Sequence, residues 1–385
     1  KTNLYPEEGL VAYAALKTGR KVRWRADRLE EFLGGTHGRD LSTHAELALD
    51  GDGRVLAFRQ KSLANAGATP LGVGVLIPLV LGPFVSVGVY HVPAIHFDIR
   101  VALTNTAPIG AYRGAGRPEA IYIIERLMDA AARKLKMDPR DIRKINVVRA
   151  DKTPYKTPVG QVYDSGDFAR IVDDASAAAD WDGFAARKAA AEAQGKLYGR
   201  GLASYIEWTG GNTLQETASV HATADGEIIV HSATQAMGQG LETSYAQMIA
   251  AALDVPISTV KIVQGDTDLA QGMGSVGSRS LFIGGSAVAV GAADLLEKAR
   301  DLAADHLEAA AADLEYAKGR FTVAGTDRSV GLVDLARGEF DKRLSVTSTA
   351  KVDGPSWPNG AHIAEVSIDP DTGEITIERY TTLDD

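Results

Sequence analysis

The chain has 385 residues, no cysteine and a net charge of −9 from 41 basic and 50 acidic side chains. At roughly 100–200 residues per domain, two domains are expected. The acidic balance disfavours nucleic acid or an anionic membrane as a general partner. Without thiols the chain can hold no disulfide, thiolate zinc site, iron–sulfur cluster or cysteine nucleophile, and it suits a reducing cytoplasm.

Pro6–Thr18 has helical spacing and stops at Gly19. Lys21–Arg25 is expected to be a strand, and His44–Asn65 two strands around Asp50-Gly51-Asp52-Gly53. Leu71–Val89 is the most apolar stretch. Gly72, Gly74, Pro78, Gly82 and Pro83 break it into loop and turn, so no membrane span is expected. A helix begins at Pro118 and continues to Lys136 with apolar Ile121, Ile124, Leu127 and Met128, and another runs from Asp138-Pro139 to about Val148. Lys152–Gly166, rich in Pro, Thr, Tyr and Gly, is expected to be a long loop and the boundary between domains 1–165 and 166–385. Asp167–Gln194 is alanine-rich and helical, with a break near Asp180–Gly183, and strands return from Tyr198. Two more hairpins follow: Thr217–Ser232, turning at Asp225-Gly226, and Ile363–Tyr380, turning at Asp371-Thr372-Gly373. Between them lie helical stretches at Leu241–Leu253 and about Phe282–Leu314. Hairpins covered by helices predict the α+β class, with two domains of antiparallel or mixed sheets rather than one doubly wound parallel sheet.

Three glycine-rich segments precede predicted helices: Gly110–Arg117, Met237–Gly240 and Gly272–Ser280. The first turn of a helix leaves backbone N–H groups unpaired and carries partial positive charge. Glycine lets a ligand approach the backbone and permits the φ > 0 of an anion-holding nest. Each segment alone has the composition of an ordinary turn and cap. Together, three could hold a large, polyanionic, hydrogen-bonding ligand. Gly272, Gly274 and Gly277 spell G-x-G-x-x-G, but Gly265–Gln271 separates the motif from the strand Val260–Gln264, which a dinucleotide fold does not allow. A P-loop fails because Ser278 and Arg279 follow Gly277 where lysine is needed. The eight histidines form no standard metal pair, and no G-x-S-x-G elbow occurs. His44 and His221 fall in strand patterns and are expected to be structural, and Glu119 and Glu242 in first helical turns to serve as caps.

Ala111-Tyr112-Arg113-Gly114-Ala115-Gly116-Arg117 resembles the active-site loop of molybdenum hydroxylase large subunits, of the xanthine dehydrogenase and aerobic carbon monoxide dehydrogenase type. Gly238-Gln239-Gly240-Leu241-Glu242-Thr243 with Gln247 resembles their G-Q-G-x-x-T segment. Gly265-Asp266-Thr267-Asp268 with Gly274-Ser275-Val276-Gly277-Ser278-Arg279-Ser280 resembles their GDTD and glycine–serine cofactor loop. Tyr5-Pro6-Glu7-Glu8, His37-Gly38-Arg39-Asp40 and Tyr163-Asp164-Ser165-Gly166 also fit, in the same order from Lys1 to Asp385.

The resemblance implies a molybdopterin cofactor, in bacteria usually the cytosine dinucleotide form, held by backbone N–H groups, Gln and Ser. Gln239 would meet the molybdenum centre or pterin, with Gly238 and Gly240 binding the cofactor beside it, and Gly274, Ser275, Gly277, Ser278, Arg279 and Ser280 would hold the phosphate and pterin. Arg113, Gly114 and Ala115 would lie on the substrate side, with Arg113 and Gly114 also binding the cofactor and Arg113 and Ala115 lining the substrate pocket. It further implies water-dependent oxidative hydroxylation of a small molecule, an aldehyde or aromatic N-heterocycle. Iron–sulfur and FAD centres would sit on separate small and medium subunits, in a cytoplasmic homodimer of heterotrimers. The family's catalytic glutamate and its G-G-x-F-G loop match nothing here and are expected beyond Asp385 and before Lys1. On that expectation both ends are cuts, and the isolated segment would be inactive, with partial cofactor sites and no bound cofactor. Gly114 stands where carbon-monoxide-oxidising members carry a copper-binding cysteine, and Ala115 where xanthine oxidases carry phenylalanine. This loop therefore resembles the second, non-copper group of carbon-monoxide-dehydrogenase-like subunits. Two other readings remain: a non-catalytic domain of the same family, and a nucleotide-binding protein.

Overall fold

A computed structural model describes residues 5–70, 72–210, 213–338 and 343–385. Lys1 and Leu71, from which two of the expectations above start, lie outside the described residues. Two compact units emerge: one runs to Glu207 and takes back Trp357–Asp385, and the other is Trp208–Ser356. The boundary expected in Lys152–Gly166 falls inside the first unit, whose extent follows strand pairing rather than chain order. Its returning strand Asn359–Ile368 pairs antiparallel with Leu197–Ile206, from Asn359 opposite Ile206 to Ile368 opposite Leu197.

In the first unit, Leu41–Leu49 and Val55–Asn65 form the expected hairpin, and Ile95–Ala102 joins Val55–Asn65 in parallel. The turn closes because Asp50 Oδ1 accepts the N–H groups of Asp52 and Arg54 while Gly53 takes φ 86°. Helices Arg117–Leu135 and Pro139–Asn146 follow, the second capped by Asp138. Asn146 fastens it to the hairpin: its Oδ1 accepts from Val55 N at 2.7 Å, and its Nδ2 donates to Gly53 O at 2.9 Å.

Between these helices lies a buried charge network. Arg143 is fully buried and donates to Glu125 Oε2 (2.9 Å), Asp129 Oδ1 (2.9 Å), Pro139 O (2.9 Å) and Leu202 O (2.8 Å). Tyr90 donates its hydroxyl to the other oxygen of Glu125. Burial pushes the Glu125 carboxyl up, and the Arg143 charge opposes that rise. One guanidinium thus joins both helices, the strand Leu197–Ile206 and, through Glu125, the chain at Tyr90.

In the second unit the strand order is Arg343–Lys351, Gln215–Thr223, Ile228–Ser232, Val260–Gln264, antiparallel except for the parallel last pair. Val220, Val230 and Leu344 on one face share a core with Tyr245 and Ile249 of helix Leu241–Ala252 and with Ala287, Val288 and Leu295 of helix Gly285–Leu307. Ser280–Leu307 is long and apolar enough to cross a membrane by length and composition. Its positions Ala287, Val288, Ala292, Leu295, Ala299 and Ala303 are all in this core.

Four expectations change. Residues 21–25 form no strand. Leu71–Val89 is not only loop, because Ile77–Leu81 closes a π-helical turn. Lys152–Gly166 contains a short 3-10 turn end and a two-stranded ladder, Tyr155–Lys156 with Val162–Tyr163. The last long helix stops at Leu307, where Glu308 turns left-handed at φ 46°. A small sheet then follows, made of Leu314–Ala317, Arg320–Val323 and Ser329–Gly331.

Replacing Arg143 with methionine strands Glu125 and Asp129 without their cation. Loss of one partner from a buried ion network costs about 3–5 kcal/mol, and urea denaturation should read a loss of that size. Glu365, 1% exposed, accepts two hydrogen bonds from Arg187 (2.8 and 2.7 Å) and one from Tyr198 (2.8 Å). The Arg187 hydrogen bonds hold its carboxyl below the usual range. An unfolded glutamate titrates near about pH 4.3. The stabilisation is therefore present above that pH and is lost as pH falls through the lower native value, where the unfolded chain binds more protons. Arg187→Met should flatten this acid limb in denaturation measured at successive pH values.

Candidate functional site

Two of the three glycine-rich segments leave the same sheet. Ile228–Ser232 and Val260–Gln264 are parallel neighbours, so both chains exit at one end, where ligands collect in open sheets. The first exit leads through Met237–Gly240 into helix Leu241–Ala252. The second leads through Gly272–Ser280 and a π-helical turn into helix Gly285–Leu307.

Side chains lace the two exits together. Gln264 Nε2 donates to Thr234 O at 2.6 Å. Ser275 Oγ accepts from Gln235 N at 2.7 Å, donates to Gln235 O at 3.0 Å and accepts from Ser280 Oγ at 2.7 Å. A hydroxyl has one proton and two lone pairs, so Ser275 is saturated within the protein. Arg279 is also turned inward. It is 1% exposed, pairs with buried Glu216 Oε2 at 2.6 Å, and donates to Gly274 O and Gln215 O, each at 2.8 Å. Both residues were expected to face a ligand; their side chains instead brace the loop that would do so.

Facing outward are backbone at positive φ, the Gln239 amide, Ser278 and the exposed Met237 and Met273. Gly238, Gly240, Gly274 and Gly277 have φ between 58° and 89°, and Ser278 has φ 56°. A Cβ on Gly238 or Gly240 would meet nothing within 4 Å, and one on Gly274 only Ala233 O at 3.8 Å. The Gln239 side chain is exposed and folded onto its own turn: Nε2 donates to Gln235 O at 2.8 Å, and Oε1 accepts from Met237 N at 2.5 Å. One amide proton and one lone pair of Gln239 remain for a ligand. Beside the exits, His231 Nδ1 lies 3.3 Å from His221 Nε2. Burial, and then the Arg343 charge, press the His231 pKa down. Among the described residues no three His, Asp or Glu side chains group as metal ligands.

The remaining segment, Gly110–Arg117, belongs to the first unit. Gly114, Ala115 and Gly116 all have positive φ (93°, 41° and 97°), a left-handed run that delivers the chain to helix Arg117–Leu135. A Cβ on Gly114 would lie 2.4 Å from Pro118 Cγ. Glu119 Oε2 accepts from Gly116 N at 3.0 Å, the expected cap. Arg113 and Tyr112 are exposed, Ala115 half-buried.

Arg39, in the His37-Gly38-Arg39-Asp40 segment, organises this loop. Its guanidinium donates to Arg113 O, lies 4.6 Å from the centre of the Tyr112 ring and sits 3.8 Å from Glu119 Oε2. The Gly38 Cα packs so close that a Cβ would lie 2.6 Å from Tyr112 Cβ. Arg39, Gln235 and Glu216 escaped the sequence reading as site residues. Only Arg39 carried a signal, its place in a family-like segment.

The arrangement is that of a cofactor cradle: glycine-lined turns at helix starts, braced from behind. The family description of a molybdopterin cofactor-binding domain matches residues 1–147 and 174–385. The chain belongs to that family. It is 33% identical to the carbon monoxide dehydrogenase large chain of Hydrogenophaga pseudoflava, over 100% of this chain and 51% of that one. It is 30% identical to the nicotine 6-hydroxylase large subunit of Paenarthrobacter nicotinovorans, over 100% of this chain and 50% of that one. Quinoline 2-oxidoreductase from Pseudomonas putida 86 superposes with a TM-score of 0.90 at 33% identity, covering 100% of this chain and 52% of that one. The chain thus spans about half the length of the relatives it matches.

If Arg39 clamps the loop, Arg39→Ala should speed tryptic cleavage after Arg113 by about tenfold, because a backbone hydrogen bond to a charged donor is lost. An unchanged cleavage rate would show that the loop holds itself.

Proposed function

We propose that this chain is the cofactor-cradling part of a molybdenum hydroxylase large subunit that oxidises an aromatic N-heterocycle or an aldehyde. The observation that carries the reading is the pair of braced glycine turns leaving adjacent parallel strands. Their donor set suits a polyanionic, hydrogen-bonding group. Left-handed glycines leave open space at the backbone, two helix starts add favourable field, and the first turn carries the exposed Gln239 amide. When bound, molybdopterin with its molybdenum supplies two-electron redox chemistry with water as the oxygen source.

The chain's own residues bind and orient. Gly238, Gln239 and Gly240 hold the pterin side, with Gln239 giving its second amide proton. Gly274, Gly277 and Ser278 present the third turn to phosphate, while Ser275, Arg279 and Ser280 keep that turn in shape. Arg113, Gly114 and Ala115 form the substrate side, fixed by Arg39. We favour an N-heterocycle over carbon monoxide: two similar proteins are named for nicotine and quinoline, and Gly114 offers no thiol. The reading extends to a cytosine dinucleotide form of the cofactor, to iron–sulfur and FAD subunits as partners, and to a cytoplasmic homodimer of heterotrimers. It also places the functional division of the chain near Lys152–Gly166, in the gap between the two family matches.

In the full-length protein, Gln239→Ala should lower bound molybdenum and pterin by about tenfold in affinity, the worth of a hydrogen bond or two. Metal analysis and fluorescence of the released, oxidised pterin check it. Full retention of both would overturn the assignment. Nucleotide binding that survives Gln239→Ala but not Gly274→Val would support the nucleotide-binding alternative.

A further inference from the structure

A groove of about 700 Å³ runs between helix Arg117–Leu135 and strand Leu41–Leu49 in the first unit. Its floor is Leu41, Ala45, Ile123 and Leu127, and its rim carries Tyr122, 67% exposed.

Two features of this groove are unusual. The first is charge. Arg39, Arg126 and Arg133 line it against a single carboxylate, Glu119, in a chain whose net charge is −9. Arg39 already pairs with Glu119. The Asp129 carboxylate on the same helix is taken by Arg143. Arg126 and Arg133, both exposed, have no ion pair among the described residues. The second is backbone. Among the described residues Leu41–Leu49 pairs with Val55–Asn65 alone, which leaves these nine residues at the sheet edge beside the groove. Open edges of this length are normally blunted or covered, because their N–H and C=O groups template another strand.

We propose that this groove docks an extended, acidic segment of a partner polypeptide, which adds as a strand to the Leu41–Leu49 edge. The edge supplies main-chain hydrogen bonds, and the helix above reads alternate side chains. Arg126 and Arg133 are seven residues apart, roughly 10 Å along a helix axis. A strand advances about 3.3 Å per residue, so carboxylates two and four positions apart on its helix-facing side, about 6.6 and 13 Å, bracket that spacing within the reach of the long arginine side chains.

The probes are two synthetic nonapeptides alternating valine with either glutamate or lysine, titrated into the purified full-length protein by fluorescence anisotropy. The glutamate peptide should bind saturably, and the lysine peptide should not. Arg126→Glu with Arg133→Glu should weaken the glutamate peptide by at least about tenfold. Arg126→Gln with Arg133→Gln should do so to a lesser degree, with helix content unchanged. Binding should also slow amide hydrogen exchange within Leu41–Leu49. Absent saturation, equal affinity in both variants, or unchanged exchange in the edge strand would each overturn the proposal. So would a protein dimer that the same double variant dissociates, since the edge would then serve a second copy.

Discussion

The first unit depends on one buried guanidinium. Arg143 meets a glutamate, an aspartate and two backbone carbonyls, with no exposure to water. Such a cluster tolerates no partial version, because any missing partner leaves charge stranded in a medium that cannot solvate it. It therefore fixes the spacing of two consecutive helices and the strand beneath them. The first of those helices begins at the Gly110–Arg117 loop and forms one wall of the basic groove. The position of both rests on this interior pairing.

The second unit solves a different problem, how to keep flexible glycine turns in one shape. Glycine offers approach and positive φ but adds disorder. Here the restraint comes from behind. Ser275 uses its whole hydrogen-bonding capacity on Gln235 and Ser280, and Arg279 is tied to Glu216 and to the Gly274 carbonyl. The outward face keeps the glycine backbone open, beside the exposed side chains of Met237, Gln239, Met273 and Ser278. This division between bracing side chains and presenting backbone suits a ligand made of phosphates and a hydrogen-bonding ring system.

Much of this was legible in the sequence, and the failures have physical causes. The three hairpins were readable because Asp-Gly turns and alternation are local signals. The helix starts at Pro118 and Asp138-Pro139 were readable because proline and caps act within a few residues. The glycine motifs marked the turns correctly but not which of their side chains point inward. Direction at Arg279 is decided by Glu216, 63 positions away, and at Ser275 by Gln235, 40 positions away. Arg39 acts across 74 positions on Arg113 O. The small sheet at Leu314–Gly331 was hidden because its strands are only three or four residues long, too short to show a period.

The contact between Gly114 and Pro118 has a consequence for how such loops diverge. A side chain at position 114 would need φ of 93° and would drive its Cβ to 2.4 Å from the proline ring. A cysteine placed at this position would therefore be strained in the present path of the turn. The backbone must first take another path, or Pro118 must be replaced. Side-chain choice at the turn and at the first residues of its helix is thus coupled in this chain.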